Sequence, residues 1–173
     1  MTFHDASIDM GFFTHGSLEE AHKLDLDSGS PPLKADELEK MFKSVKTEMR
    51  GVWQIGKSTD YVNDAGEEYE KEEVCLVGFI IYLEHRDKPT DIYRLSVHYL
   101  ADYSLVANAL LRDIKGPAVI TVRQRNLDTK LDSGKKLVSF LKGRGFKKIG
   151  TRTQTFSFPI DKGVLFRYDA KTK

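Results

Sequence analysis

The chain contains little of the chemistry that disulfides and metal sites need. Its single cysteine, Cys75, cannot form a disulfide within the chain, and it lies in an apolar run, where inert buried thiols are more common than reactive ones. Its five histidines form no H-x-x-x-H pair, so the usual zinc-binding spacing is missing. We therefore expect a reducing environment and no bound metal.

Long hydrophobic runs and a basic leader segment are also missing. The longest apolar stretch, residues 74–83, is far shorter than the ~20 residues that cross a membrane. The segment MTFHDASIDMGFF carries acidic residues in place of a basic region and has no long apolar core. These features predict an unsecreted protein in the cytoplasm, without membrane association.

Two common catalytic motifs are absent as well. The sequence contains neither G-x-x-x-x-G-K-[ST], which cradles nucleotide phosphates, nor G-x-S-x-G, the nucleophile turn of many hydrolases. With 173 residues, of which 40% are hydrophobic, the chain is long enough for one compact domain. We expect an N-terminal arm or first strand in residues 1–16 and a single domain in residues 17–173.

Charge is distributed unevenly, although the net charge is only +1. Residues 1–111 carry 11 Lys or Arg and 21 Asp or Glu, whereas residues 112–173 carry 16 and 5. The split has two interpretations: attraction between the two halves of one fold, or a basic face for a phosphate-bearing ligand, a nucleic acid or an acidic protein. Residues 135–152 are the candidate for that face; the alternative there is a solvated amphipathic helix.

Hydrophobic spacing predicts two helices followed by three strands. The segment SLEEAHKL has a capping box that begins at Ser17, and ADELEKMFKSVKTEM has an apolar face with Asp36 as its cap. GVWQIG, VCLVGFIIYLEH and IYRLSVHYL are typical of strands, and STDYVNDAGEEYEKEE between the first two predicts a polar turn. Three consecutive strands of this kind form a meander.

The second half of the chain alternates helices and strands. YSLVANALLRDI predicts a helix that ends before KGP, AVITVRQR a strand, and SGKKLVSFLKGRGF a helix closed by glycine. IGTRTQTFSF and GVLFRYDA predict a final antiparallel pair. The complete order predicts a mixed α/β fold with helices covering a sheet.

Three segments carry a resemblance to a known family. Val97, Ala107 and the pair Leu110–Leu111 stand where that family has the turn between a central strand and a helix. VGFIIYL is similar to the preceding strand, and LVSFLKGRGFKKIG is similar to the last helix, with its Gly-Phe ending. On these segments the chain resembles the GNAT (Gcn5-related N-acetyltransferase) family, over roughly residues 17–168. The resemblance implies a mostly antiparallel sheet flanked by helices.

The resemblance also implies a cofactor and a reaction. Members of the family bind the pyrophosphate of acetyl-CoA at the first amides of this helix and transfer the acetyl group to an amine on a small molecule or a protein. Asp91 stands at a common position of the general base, acting through water, and Tyr103 is a substitute for the acidic tyrosine, whose usual position is Leu141. The implied cofactor-binding residues are Val97, His98, Leu105, Val106, Ala107, Asn108 and Ala109.

Besides Leu141, two residues at the start of this helix depart from the family pattern. Asp102 replaces an Arg or Gln, and Leu105 replaces the first glycine of the turn. An aspartate here is a good helix N-cap, whose carboxylate occupies an amide that a pyrophosphate would use. Two functions therefore stay open: an acetyl-CoA-dependent N-acyltransferase, or a non-catalytic GNAT-like binding or structural protein, for example of a virus or phage particle, that uses its basic surface.

Overall fold

The computed structural model describes residues 1–3, 9–12, 18–44, 46–128, 130–155 and 158–169. Only the backbone is described for residues 9–12, 59, 60, 154, 155 and 158–161. Ser17, the predicted helix cap, lies outside the described residues. The part of the chain described contains eight strands, four α-helices and one 3₁₀ turn, in this order: β1 (Thr2–Phe3), β2 (Asp9–Phe12), α1 (Leu18–Asp27), α2 (Ala35–Lys43), β3 (Glu48–Val62), β4 (Glu68–Leu83), β5 (Thr90–Val97), α3 (Tyr103–Leu111), β6 (Ala118–Arg123), the 3₁₀ turn (Gln124–Leu127), α4 (Asp132–Gly143), β7 (Lys147–Thr155) and β8 (Phe158–Tyr168).

The strands form one sheet, in the order β1-β3-β4-β5-β6-β8-β7, with β2 also paired to β3. Every pairing is antiparallel except that of β5 with β6. β3, β4 and β5 form the predicted meander, and β7 and β8 form the predicted final pair. The mixed α/β fold expected from the sequence is confirmed.

Helices cover both faces of the sheet. On one face, apolar residues of α1 and α2, including Leu24 and Met41, pack against Phe79 and Ile81 of β4. On the other face, α3 and α4 pack on Ile80 and its neighbours, and their buried residues include Val106, Leu110, Leu137 and Phe140. Two separate apolar clusters therefore hold a three-layer arrangement together.

The structure corrects the predicted polar turn between β3 and β4. Both strands continue through this segment, and the turn itself is short: the amides of Ala65 and Glu67 donate to Asn63 Oδ1 at 3.0 and 2.9 Å, and Gly66 has φ +82°. Because acidic side chains stand on both faces of this ribbon, the apolar alternation that identifies a strand is missing. We name residues 58–73 the acidic arm.

Helix boundaries also differ from two predictions. α2 begins one residue before Asp36, and Glu37 caps it by accepting a hydrogen bond from the Lys34 amide at 3.1 Å. α3 ends at Leu111 and does not reach Ile114. α4 is closed by glycine as predicted: Gly145 has φ +82°. No helix in the described ranges has the length and apolar character that crossing a membrane requires.

Candidate cofactor and substrate cleft

A cleft opens where β5 and β6 separate. The two strands pair only through residues 90–92 and 118–120, although β5 continues to Val97 and β6 to Arg123. The separation begins at Tyr93, an extra residue in β5 that interrupts its pairing with β4 between Ile92 and Arg94. The cleft thus lies at the carboxyl ends of two parallel strands, the position at which open α/β sheets bind ligands.

Helix α3 begins at the mouth of this cleft, and Asp102 caps it. The Leu105 amide donates a hydrogen bond to Asp102 Oδ1 at 2.9 Å, which confirms the predicted N-cap. Leu105 itself is 37% exposed, so its side chain stands over the first turn of the helix. One of the amides that an anion would use is therefore already occupied by the protein's own carboxylate.

The remaining residues assigned to cofactor binding divide into two groups. The side chains of Val97, Val106 and Ala107 are buried in the core beneath α3, where they position the helix and do not reach solvent. Asn108 is exposed, and Ala109 is half-buried against the core. Of these five residues, Asn108 alone presents an accessible polar side chain.

His98 lies at the end of β5 between two aromatic rings. Its ring is stacked on Tyr99, with centroids 4.9 Å apart, and contacts Phe3 edge-on at 5.1 Å. His98 Nδ1 accepts a hydrogen bond from the Leu100 amide at 3.2 Å. Burial lowers the pKa of His98, so its imidazole is neutral at pH 7.

A basic groove runs between α3 and α4, beside the mouth of the cleft. Its volume is about 510 Å³, and it adjoins a second hollow of about 240 Å³ that shares Tyr103 and Lys136 with it. The groove is lined by two ammonium-bearing residues and three hydroxyl-bearing ones, a donor set that suits phosphate. We name this the α3–α4 groove; its lining consists of Tyr103, Ser104, Lys135, Lys136, Ser139, Phe140 and Gly143.

Tyr103 lines both hollows from the first position of α3. Its ring contacts Phe140 of α4 at 5.8 Å in an edge-on arrangement. Burial raises the pKa of the Tyr103 hydroxyl well above its ordinary value, so the hydroxyl keeps its proton throughout the neutral range.

Asp91 lies near the closed end of the cleft and is bound to Arg152 of β7. Arg152 donates to both Asp91 oxygens, at 3.0 and 3.3 Å, and also contacts the Thr121 hydroxyl. A proton taken from an amine would compete with the guanidinium for these oxygens. Asp91 lies at the start of β5, and Tyr103 follows the other end of this strand, about 20 Å along it, so the fold does not bring the two side chains together.

The interior of the cleft contains a buried ion pair that the sequence patterns did not reveal. Asp25 of α1 is fully buried, and its Oδ1 accepts from Arg94 Nε at 2.8 Å, Arg94 Nη2 at 2.6 Å and Ser96 Oγ at 2.7 Å. Its other oxygen accepts from the Leu33 amide at 2.7 Å. One feature of the sequence could have indicated this ion pair. Asp25 stands in the last turn of a helix, where the helix dipole disfavours a carboxylate unless a positively charged partner lies nearby.

The loop between α1 and α2 crosses the cleft, and we name residues 28–34 the strap. The Pro31 carbonyl accepts from Arg94 Nη2 at 3.3 Å and from Asn126 Nδ2 at 3.5 Å, so it links β5 to the 3₁₀ turn that follows β6. The Gly29 carbonyl accepts from Ser133 Oγ of α4 at 2.7 Å. Beneath the strap, a cavity of about 30 Å³ remains, which has room for one water and not for an acetyl thioester.

A second ion pair on the strap side of the sheet joins α2 to β6. Glu37 of α2 accepts from Arg123 Nη2 at 2.5 Å, and both side chains are largely buried. Asn126 follows β6 and is 5% exposed; its side-chain oxygen has no hydrogen-bond partner. The cleft thus contains two neutralised arginines and one unused acceptor, and the described residues include no group of His, Cys, Asp or Glu able to hold a metal.

Comparison with known proteins identifies the fold. No protein-family model matches the chain, and no curated protein sequence matches it. Among solved structures, the ribosomal-protein-S18-alanine N-acetyltransferase from Escherichia coli is 9% identical, with 96% of each chain covered and a TM-score of 0.60. A GNAT-family acetyltransferase from Staphylococcus aureus Mu50 is 12% identical, with 94% and 99% of the two chains covered and a TM-score of 0.62. Arabidopsis thaliana NAA60 in complex with acetyl-CoA is 11% identical, with 96% and 100% covered and a TM-score of 0.58. The chain therefore has the GNAT fold, as the resemblance in its sequence predicts.

Proposed function

We propose that the chain is an N-acyltransferase that uses acetyl-CoA and an amine acceptor, in the cytoplasm. The observation that carries this proposal is the separation of β5 from β6 beside the first turn of α3. One solved structure with this fold contains acetyl-CoA, and another is an N-acetyltransferase that acts on an alanine of a ribosomal protein. Neither similarity assigns a substrate, so the acceptor is proposed by class alone: a primary amine on a small molecule or a protein.

The residues fit such a cofactor at its phosphate end. Lys135, Lys136 and the hydroxyls of Ser104 and Ser139 would hold the phosphates in the α3–α4 groove. The acyl end does not fit until the strap moves, because the cavity beneath it holds only one water. Acetyl-CoA, when bound, supplies an activated acetyl group, and Tyr103 holds a proton at its hydroxyl for the leaving thiolate.

The first prediction concerns acetyl-CoA affinity. We expect the natural protein to bind acetyl-CoA weakly and the Asp102→Arg variant to bind about tenfold more tightly, because removing the cap frees the Leu105 amide and reverses a charge beside the phosphates. Isothermal titration of acetyl-CoA measures both constants. Asp87→Arg makes the same charge change in the exposed turn before β5 and is the matched control, expected to leave affinity unchanged.

The second prediction concerns catalysis. We expect Tyr103→Phe to lower kcat about 100-fold without changing the dissociation constant of acetyl-CoA, because it removes one proton from the groove and keeps the ring that packs on Phe140. Release of free thiol with a panel of amines measures turnover. Tyr99→Phe, at a 55% exposed site, is the control. Equal turnover in both variants would exclude Tyr103 as the acid.

A specific observation favours the second function, a non-catalytic binding protein. The capped α3 and the strap-filled cleft are the arrangement expected after cofactor binding is lost. For that function, the basic residues 135–152 bind an acidic protein or a nucleic acid, and location in a virus particle is part of the same proposal. Absence of acetyl-CoA binding by both the natural protein and Asp102→Arg would support this function over acetyl transfer.

A further inference from the structure

We propose that the acidic arm of one copy of the chain binds the α3–α4 groove of a second copy, and that two such reciprocal contacts form a twofold dimer. The proposal does not depend on acetyl transfer, since it needs neither cofactor nor acceptor; a partner's arm in the groove would exclude the phosphates proposed to bind there. It rests on four features of the described residues: the arm's exposure, its internal order, its charge and the surface around the groove.

The acidic arm projects beyond the body of the protein without cover. Residues 62–72 are exposed on both faces of the ribbon. An isolated two-stranded ribbon is at best marginally stable in water, because it has no second layer on which to bury a face. The arm nevertheless exposes Val62 (60%) and Tyr69 (45%), and Val74 (73%) follows it in β4, apolar area that a partner would cover.

The arm is also ordered by its own contacts. The rings of Tyr61 and Tyr69 face each other across the strands at 5.8 Å, and the ammonium of Lys71 lies 4.7 Å from the Tyr61 ring centroid. Lys57 pairs with Glu72 at 2.9 Å at the base of the arm. Such a preformed ribbon loses little conformational entropy when it binds, which favours its use as a docking element.

The negative charge of the acidic arm indicates that its partner surface is basic. The acidic arm contains one lysine and seven acidic residues, which are Asp60, Asp64, Glu67, Glu68, Glu70, Glu72 and Glu73. Helix α4 and the turn that follows it, residues 132–148, contain six Lys or Arg and one acidic residue, Asp132, which pairs with Lys135 at 3.4 Å. Opposite charges across an interface speed association and fix the register of docking.

The surface around the groove is complementary in apolar character as well. Two exposed side chains, Tyr99 (55%) and Leu131 (42%), line the second hollow that adjoins the groove. Lys136 lines both hollows, so this apolar surface has a basic side chain at its border. The arm presents Tyr69 on one face of the ribbon and Val62 on the other, each beside acidic side chains.

The position of the two elements permits a reciprocal contact. Val97, the last residue of β5, pairs with Gly78, so the arm extends past the end of the sheet at which α3 begins. The arm and the groove therefore lie toward the same end of the protein. A twofold rotation can place each arm on the partner's groove, and such a closed contact does not propagate into fibres.

The experiment is sedimentation velocity of the full chain at ~0.1 M salt, without acetyl-CoA, over a range of protein concentrations. We expect a species of about twice the 19.7 kDa chain mass, which dissociates as salt is raised. A monomer at every concentration would overturn the proposal. Because acetyl-CoA is absent, failure of the acetyl-transfer proposal leaves this result unaffected.

Charge exchange then tests the specific contact. We expect Glu68→Lys/Glu70→Lys and Lys135→Glu/Lys136→Glu each to raise the dimer dissociation constant at least about tenfold, and an equimolar mixture of the two variants to restore it. Glu84→Lys/Asp87→Lys, an equal charge change in the exposed turn between β4 and β5, is the control and should dimerise normally. A dimer that survives either double variant, or a mixture that fails to recover, would show that the arm does not bind the groove.

Discussion

Replacing Asp25 by alanine is expected to lower the free energy of unfolding by about 3–5 kcal/mol, the largest loss that we predict for any single residue. The change leaves the Arg94 guanidinium buried without its counter-charge and removes the acceptor of Ser96 Oγ and of the Leu33 amide. An uncompensated buried charge costs far more than the net value of the pair it belonged to. Urea denaturation followed by the fluorescence of the single tryptophan, Trp53, measures the loss.

Two further variants test whether the loss of stability comes from the buried charge or from a sensitivity of α1 to any substitution. Asp27→Ala removes a carboxylate from the same helical turn, where it is only half-buried, and should cost less than about 1 kcal/mol. Asp25→Leu/Arg94→Met replaces both members of the pair by apolar groups and should recover at least half of the loss. Equal losses for Asp25→Ala and Asp27→Ala would contradict this account of the cleft.

Gly78→Ala is the second substitution with a large expected effect, about 1–3 kcal/mol. A Cβ at this position would lie 2.4 Å from Val106 Cγ1 and 3.2 Å from Leu110 Cδ1, because α3 packs directly on the backbone of β4 there. All three residues belong to or face the core, so neither helix nor strand can move away without opening other contacts. The measurement is again chemical denaturation.

A double-mutant cycle identifies the cause. If the clash with Val106 is responsible, Val106→Ala should relieve part of the cost of Gly78→Ala, with a coupling energy of about 1 kcal/mol or more. Gly143→Ala is the control, since a Cβ there meets nothing within 4 Å and the change should be neutral or slightly stabilising. Additive effects at Gly78 and Val106 would point to backbone strain in place of the contact.

Local patterns in the sequence predicted the elements whose signals are local. The cap at Asp102, the glycine that closes α4 and the meander of β3, β4 and β5 each depend on residues a few positions apart. The similarity of VGFIIYL to a family strand also has a physical reason, because Gly78 within it admits α3 to the sheet. These features could be predicted without any knowledge of long-range contacts.

The cleft was harder to predict because long-range contacts decide it. Asp25 and Arg94 are 69 positions apart, and the extra residue at Tyr93 reverses the alternation, so that Tyr93 packs on the α1–α2 face together with Phe79. The strap owes its position to the carbonyl of Pro31, and backbone carbonyls leave no signature in a sequence. Asp91 and Arg152 are 61 positions apart, so their ion pair was not anticipated either.

The short parallel pairing of β5 with β6 also bears on how the protein folds. The chain on each side of it can form locally: β3, β4 and β5 are joined by turns, and β7 and β8 are neighbours in sequence. The union of these two parts must wait for a crossover through α3 and for contacts distant in sequence, which are the slow steps in mixed α/β domains. Only three residue pairs of β5 with β6 then join the halves of the sheet. We expect this seam to close after the two parts have formed, and transient opening along it would lift the strap and expose the cleft.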